Sequence, residues 1–108
     1  MGTWLLQHIQ EPTIQPETSF KIRIQKELKK IPKSYFEKIQ QRSLRGTPDI
    51  LGVVNGYAVC LELKVDAPLE AMQEYKLGKW EKAGAQVYIM TPENEIEVLF
   101  SLHSLSRL

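Results

Sequence analysis

Two runs rich in β-branched and apolar residues, DILGVV and YAVCLELK, are separated only by Asn55-Gly56. That dipeptide is the preferred occupant of a two-residue type I′ turn, whose two central positions both need positive φ. A turn this short sets the pairing of everything outside it. With Asn55 and Gly56 at the tip, Val54 faces Tyr57, Val53 faces Ala58, Leu51 faces Cys60, Ile50 faces Leu61, and Asp49 faces Glu62. A bulge in either strand would break this register. Both faces of the hairpin are largely apolar, the mark of interior strands in a covered sheet.

The flanking segments supply the cover. From Glu17 to Ile31 the apolar residues Phe20, Ile24, Leu28 and Ile31 recur at helical spacing, and Pro32 ends the pattern. Tyr35 to Gln41 is expected as a short strand. After the hairpin a second helix is expected from about Leu69 to Ala83, with Pro68 near its first turn and Gly84 at its end. QVYIM has the composition of a buried strand, stopped by Thr91-Pro92. EIEVLF alternates and is expected as a further strand; SLHSLSRL fits a short helix or a tail equally well. The expected fold class is α/β, a central mixed β-sheet flanked by helices in the order α-β-β-β-α-β. At 108 residues the chain is expected to form one domain, with an arm over 1–16, a core over 17–91 and a C-terminal strand or tail over 92–108.

Composition excludes several classes. A single cysteine rules out an internal disulfide framework or a cysteine-rich zinc site, and Cys60 inside an apolar run is expected to be a structural thiol. No stretch approaches the roughly 18 apolar residues of a membrane span, and the opening MGTWLLQHIQ lacks a secretory pattern. A cytoplasmic setting is expected. His8 and His103 have no partners at metal-ligand spacing, and no Gly-rich phosphate loop is present. The net charge of +1 conceals an asymmetry. Lys21 to Arg45 holds nine basic residues against Glu27 and Glu37, while the remainder holds five basic and eleven acidic residues. A polyanion partner for the basic segment and a carboxylate site elsewhere fit this division, as does a solvated lysine-rich helix face.

The hairpin register gives the acidic part chemical content. Asp49 and Glu62 would have Cβ atoms about 4.5–5.5 Å apart on one side of the sheet, and like charges so placed repel. A hard divalent cation would neutralise them, since Mg²⁺ takes a few carboxylate oxygens and keeps waters. Lys64 lies on the same side and could compensate charge or assist a bound water. On the first helix Glu17 falls within the core-facing stripe, which suits a third ligand or a partner for the helix N-terminus. In the second helix Leu69, Leu77, Trp80 and Ala83 form the apolar stripe with Gln73 in its middle. A glutamine there must find partners, at a functional site or in an inert buried bond. Lys76, near the same stripe, could reach phosphate or snorkel to solvent.

These residues resemble a known family. Pro48-Asp49 followed by Glu62-Leu63-Lys64 looks like the PD-(D/E)XK nuclease motif. The fuller pattern, Glu17 on a helix, then RGTPDILGVVNGYAVCLELK, then Gln73 in a helix running to KAGAQVYIM, is similar to the VRR-NUC domains. Stand-alone copies of these are common in phages and bacteria. The resemblance covers roughly residues 17 to 91. It departs at Ala67-Pro68, where a serine would be expected, and at Leu77, where one branch of the superfamily has tyrosine. It implies a restriction-endonuclease-like core and Mg²⁺- or Mn²⁺-dependent cutting of phosphodiester bonds. Asp49, Glu62, the Leu63 carbonyl and Glu17 would hold the metal, with Lys64 and Gln73 assisting. Arg45, Arg42, Lys38, Lys21 and Lys76 are the candidate DNA contacts. A structure-selective endonuclease acting on branched or four-way-junction DNA, working as a homodimer in a bacterial or phage-infected cell, is the implied whole. The alternatives are a catalytically inactive nucleic-acid-binding module of the same fold and a structural protein in which the acidic pair is coincidental.

Overall fold

The computed structural model describes residues 16–40 and 45–108. Most of the arm expected over 1–16, and Arg42, lie outside them. Pro16 opens the first helix, where its missing N–H and fixed φ cost nothing.

Helix α1 spans Pro16–Leu28 and is followed by strand β1, Ser34–Lys38. The hairpin consists of β2, Ile50–Val54, and β3, Tyr57–Leu63. Helix α2, Ala71–Lys82, leads to β4, Gln86–Met90, and the chain continues into helix α3, Glu95–Ser106. The four strands lie in sequence order, β1-β2-β3-β4. The first two pairings are antiparallel, and β3 pairs with β4 in parallel across the α2 crossover. The mixed α/β architecture is therefore the expected one with a helix added at its C-terminal end.

Every hairpin pair from Val54–Tyr57 out to Ile50–Leu61 is present. Asn55 and Gly56 adopt φ of 51° and 86°, as the type I′ turn requires. Asn55 has a further use: its side-chain amide donates to the carbonyls of Leu105 and Leu108 at 3.3 and 2.8 Å, tying the hairpin tip to the end of α3.

The sheet separates two apolar regions. On one face Phe20, Ile24 and Leu28 of α1, with Ile31 just beyond it, meet Ile50, Val54, Val59, Leu61, Leu63 and Met90. Val98, Leu102 and Leu105 of α3 close the same core. On the other face the described residues form a smaller apolar cluster of Cys60, Leu77 and Ala85, with Leu51, Leu69 and Val87 packed around it. Cys60 is buried, and desolvation pushes its thiol up to about 11, which makes it the inert thiol expected.

Three expectations need correction. EIEVLF is helical, not a strand. Its alternation covers only one turn and a half, whereas Val98, Leu102 and Leu105 continue at helical spacing and are buried together. Asn94 starts that helix, exchanging hydrogen bonds with Thr91 through both side chains. The second helix begins at Ala71, not Leu69, because Glu70 is its N-cap, which leaves Pro68 outside it. Trp80 and Ala83 are not part of a buried stripe. Leu77 is buried, whereas Trp80 is 38% exposed and Ala83 is exposed.

Candidate active site

Asp49 immediately precedes β2, and Glu62 is the penultimate residue of β3, so the hairpin register carries them to the end of the sheet opposite the turn. The backbone of Asp49 is held from both sides. Its carbonyl accepts the Ile39 N–H at 2.8 Å, and its N–H donates to Glu62 Oε1 at 3.3 Å. In return the Leu63 N–H donates to Asp49 Oδ2 at 2.8 Å. Each carboxylate therefore accepts a main-chain donor from beside the other, which fixes two like charges close together. Pro48 is fully buried where the chain enters the strand. It removes a donor at a position where none is needed.

The stretch ahead of Pro48 is clamped onto α2. Gly46 has φ of 81°, and a Cβ there would lie 2.7 Å from both the Met72 side chain and the Met72 carbonyl. Only glycine fits so close to another backbone in that conformation.

Gln73 joins α2 to the acidic pair. Its Nε2 donates to Glu62 Oε2 at 2.8 Å, while its Oε1 accepts the Glu70 N–H at 2.9 Å. The second bond is one arm of a capping box at the helix start, with Glu70 at the N-cap and Gln73 at N3. The glutamine expected to face the sheet is thus both a helix cap and a partner of the buried carboxylate.

Two ammonium groups complete the cluster. Lys64 Nζ lies 3.9 Å from Glu62 Oε2. Lys21 Nζ lies 3.3 Å from Glu17 Oε1 and 4.0 Å from Asp49 Oδ1. Glu17, Lys21, Asp49, Glu62, Lys64 and Gln73 share the lining of a cavity of about 220 Å³, together with Leu63, Val65 and Ala67.

Glu62 is only 2% exposed. Burial is the main reason its carboxyl is pushed up to about 7, with the Asp49 charge adding to the rise. Lys64 and the Asp49 N–H pull the other way without cancelling it. Near neutral pH this group therefore exchanges its proton readily, and any cation entering the cavity would favour the ionised form.

The donor set suits a small hard cation. Among the described residues no three His, Cys, Asp or Glu side chains converge as a ready-made cage. Mg²⁺ does not need one, since it is commonly held by one or two carboxylates with waters retained. Asp49 and Glu62 meet that requirement, and Leu63 lines the same cavity.

Not every expected site residue converges. Glu17 is not in the buried stripe: its side chain is 68% exposed and held by Lys21 at the cavity mouth, so it is a rim group rather than a member of the buried pair. Lys21, expected as a DNA contact, stands beside the acidic pair as a counter-ion. Its position four residues after Glu17 carried that signal. Arg45 is exposed in the turn before Pro48. Lys38 and Lys76 lie outside the acidic cavity and line a neighbouring groove with Trp80, whose placement the helical stripe did not indicate. Among the described residues no helix is long and apolar enough to cross a membrane. No family model matches the chain, and neither a curated protein nor a solved structure matches it.

Proposed function

We propose that this chain is a metal-dependent DNA endonuclease of the VRR-NUC type, hydrolysing phosphodiester bonds with structure selectivity for branched or four-way-junction DNA. The observation that carries the reading is the opposed Asp49–Glu62 pair. It is costly for folding alone, yet it is held by reciprocal backbone bonds and by Gln73. A protein has little reason to fix two carboxylates face to face in a partly buried wall unless something positive is to meet them.

Asp49 and Glu62, with the Leu63 carbonyl, would hold Mg²⁺ or Mn²⁺, which when bound polarises a phosphate and makes a bound water more acidic. The remaining work falls to the chain's own groups. Lys64 projects its ammonium into the same cavity, where it can orient an attacking water and offset charge that builds on the phosphate. Gln73 keeps Glu62 from turning away. Lys21 carries positive charge at the cavity mouth, where the substrate backbone must approach its carboxylates, and Glu17 positions Lys21. Arg45, Lys38 and Lys76 provide phosphate contacts around the cavity. A homodimer would bring two such sites to two strands. The lone buried thiol suits the reducing cytoplasm of a bacterial or phage-infected cell.

One observation favours a second reading. Lys21 and Lys64 already offset the acidic pair without a metal. A catalytically inactive nucleic-acid-binding module of the same fold would have no need of more. Purified protein incubated with plasmid, linear duplex and four-way-junction DNA in Mg²⁺, Mn²⁺ or EDTA separates the two. The nuclease reading expects metal-dependent cutting that falls on the order of 10²–10³-fold in Glu62→Ala. It expects a drop of about 10–100-fold in Gln73→Ala, which removes only a supporting group. Binding without cutting in any metal would establish the second reading instead.

A further inference from the structure

Beside the acidic cavity lies a larger groove of about 490 Å³, lined by Lys38, Ile39, Gln40, Thr47, Leu51, Lys76 and Trp80. The two depressions have no lining residue in common but draw on neighbouring positions of the same two segments. Thr47 and Asp49 lead into β2 just ahead of Leu51, and Gln73, Lys76 and Trp80 are spaced by three and four along α2. A path therefore runs from the Asp49–Glu62 pair, past Lys76, to the indole of Trp80. The seven residue steps from Gln73 to Trp80 rise about 10 Å along the helix. That is the reach of about one to two nucleotides of a single strand, whose phosphates lie farther apart than the axial rise of about 3.4 Å per base in a duplex.

Trp80 is a large aromatic left 38% exposed on the sheet face whose apolar core is the smaller of the two. Leu51 sits across from it in the same groove, and the lysines at 38 and 76 carry positive charge. An aromatic face flanked by cations is what an unpaired nucleotide requires: a surface for its base and charge for its phosphate. Stacked bases inside an intact duplex present no free face to such a platform.

We infer that this groove receives a single-stranded DNA segment next to the scissile phosphate, with one unpaired base stacked on Trp80 and its backbone contacting Lys76 and Lys38. The inference deepens the nuclease reading and rests on it for the direction of the strand. It gives the proposed structure selectivity a physical basis, because only forked, flapped or frayed DNA supplies an unpaired base within about two nucleotides of the cut.

The test uses the full chain carrying Trp4→Phe, so that Trp80 is its sole tryptophan. It is titrated in EDTA with a 15-nucleotide oligothymidylate, a blunt duplex, and the same duplex with a short single-stranded flap. Trp80 fluorescence is expected to be quenched by the oligothymidylate and the flap but not by the blunt duplex. Trp80→Ala is expected to weaken oligothymidylate binding about tenfold, with Trp80→Phe retaining most of the affinity. Lys76→Ala should lower the slope of log affinity against log salt by about one. In Mn²⁺ the ratio of flap to blunt-duplex cutting should fall in Trp80→Ala. Equal fluorescence responses to single strand and blunt duplex would overturn the proposal. So would a Trp80→Ala protein, folded by circular dichroism, that binds the oligothymidylate as the parent does. If the parent cuts nothing in any metal yet quenches with single strand alone, the nuclease reading falls while the groove assignment stands.

Discussion

The two faces of the sheet are built to different standards. Val59, Leu61 and Leu63 of β3 point into the large core under α1 and α3, whereas Cys60 and Glu62, their immediate neighbours in the chain, point to the α2 side. One side of a single strand is thus dry and closely packed. The other holds a small apolar cluster, a buried carboxyl, a glutamine and an open indole. Apolar burial is the main favourable term in folding and scales with area, so concentrating it on one face lets the other carry groups that oppose folding. The difference separates the residues of the main core from those of the candidate site.

The largest effect that would test this division is a pair of truncations. Leu61→Ala, at 0% exposure in the large core, should destabilise the protein by about 2–5 kcal/mol in urea melts. Leu77→Ala on the α2 side should cost about 2 kcal/mol, at the low end of that range. Equal losses would show that the two faces contribute alike, and the contrast would fail. Smaller, and opposite in character, is the pH dependence of the α2 side. The folded Glu62 carboxyl sits near 7 against an ordinary value of 4.5, so the folded state binds its proton more tightly. Stability in EDTA should then fall as pH rises from about 4.5 to about 7 and flatten above that, by roughly 1–3 kcal/mol. Thermal melts across that window would reveal it. Added Mg²⁺ should recover stability above pH 7, where the ionised form is available, and have little effect near pH 5. The smallest effect belongs to the outer edge of the large core. There Arg23 makes a two-pronged ion pair with Glu95, at 2.8 and 3.1 Å, linking α1 to the start of α3. With both side chains partly exposed, a double-mutant cycle should return about 0.2–1 kcal/mol, and less at high salt.

How much of this was legible depended on how local the cause was. The pairing of Asp49 with Glu62 follows from two turn residues, because a tight turn leaves no freedom in what it connects. Gln73 was recognisable as a polar residue on an inward face, although its capping bond to Glu70 was not, since nothing in the spacing marks Glu70 as the helix boundary. The last helix was hidden by length: six alternating residues match a strand, and only the following half-dozen show which period holds. Trp80 was misread for a tertiary reason. The spacing shows that Trp80 shares a side of α2 with Leu77, but the helix makes its closest backbone approach to β4, leaving the Trp80 end over a groove beside β2. No pattern within twelve residues of helix contains that offset. The ion pairing of Lys21 with Asp49 escapes the sequence for a similar reason, because a count of charges ignores which carboxylate lies within reach.

Gln73 has one more implication. An amide side chain can normally turn over, exchanging its donor for its acceptor, and so adapt to whatever it meets. Here the acceptor end is committed to the Glu70 N–H and the donor end to Glu62. The first turn of α2 and the orientation of the carboxylate are therefore one event, completed when the chain folds and not when a ligand arrives. Loss of that turn would release Glu62 at the same moment. The helix start acts as a latch, so fraying of α2 by a single turn would be enough to disarm the site while the large core stays intact.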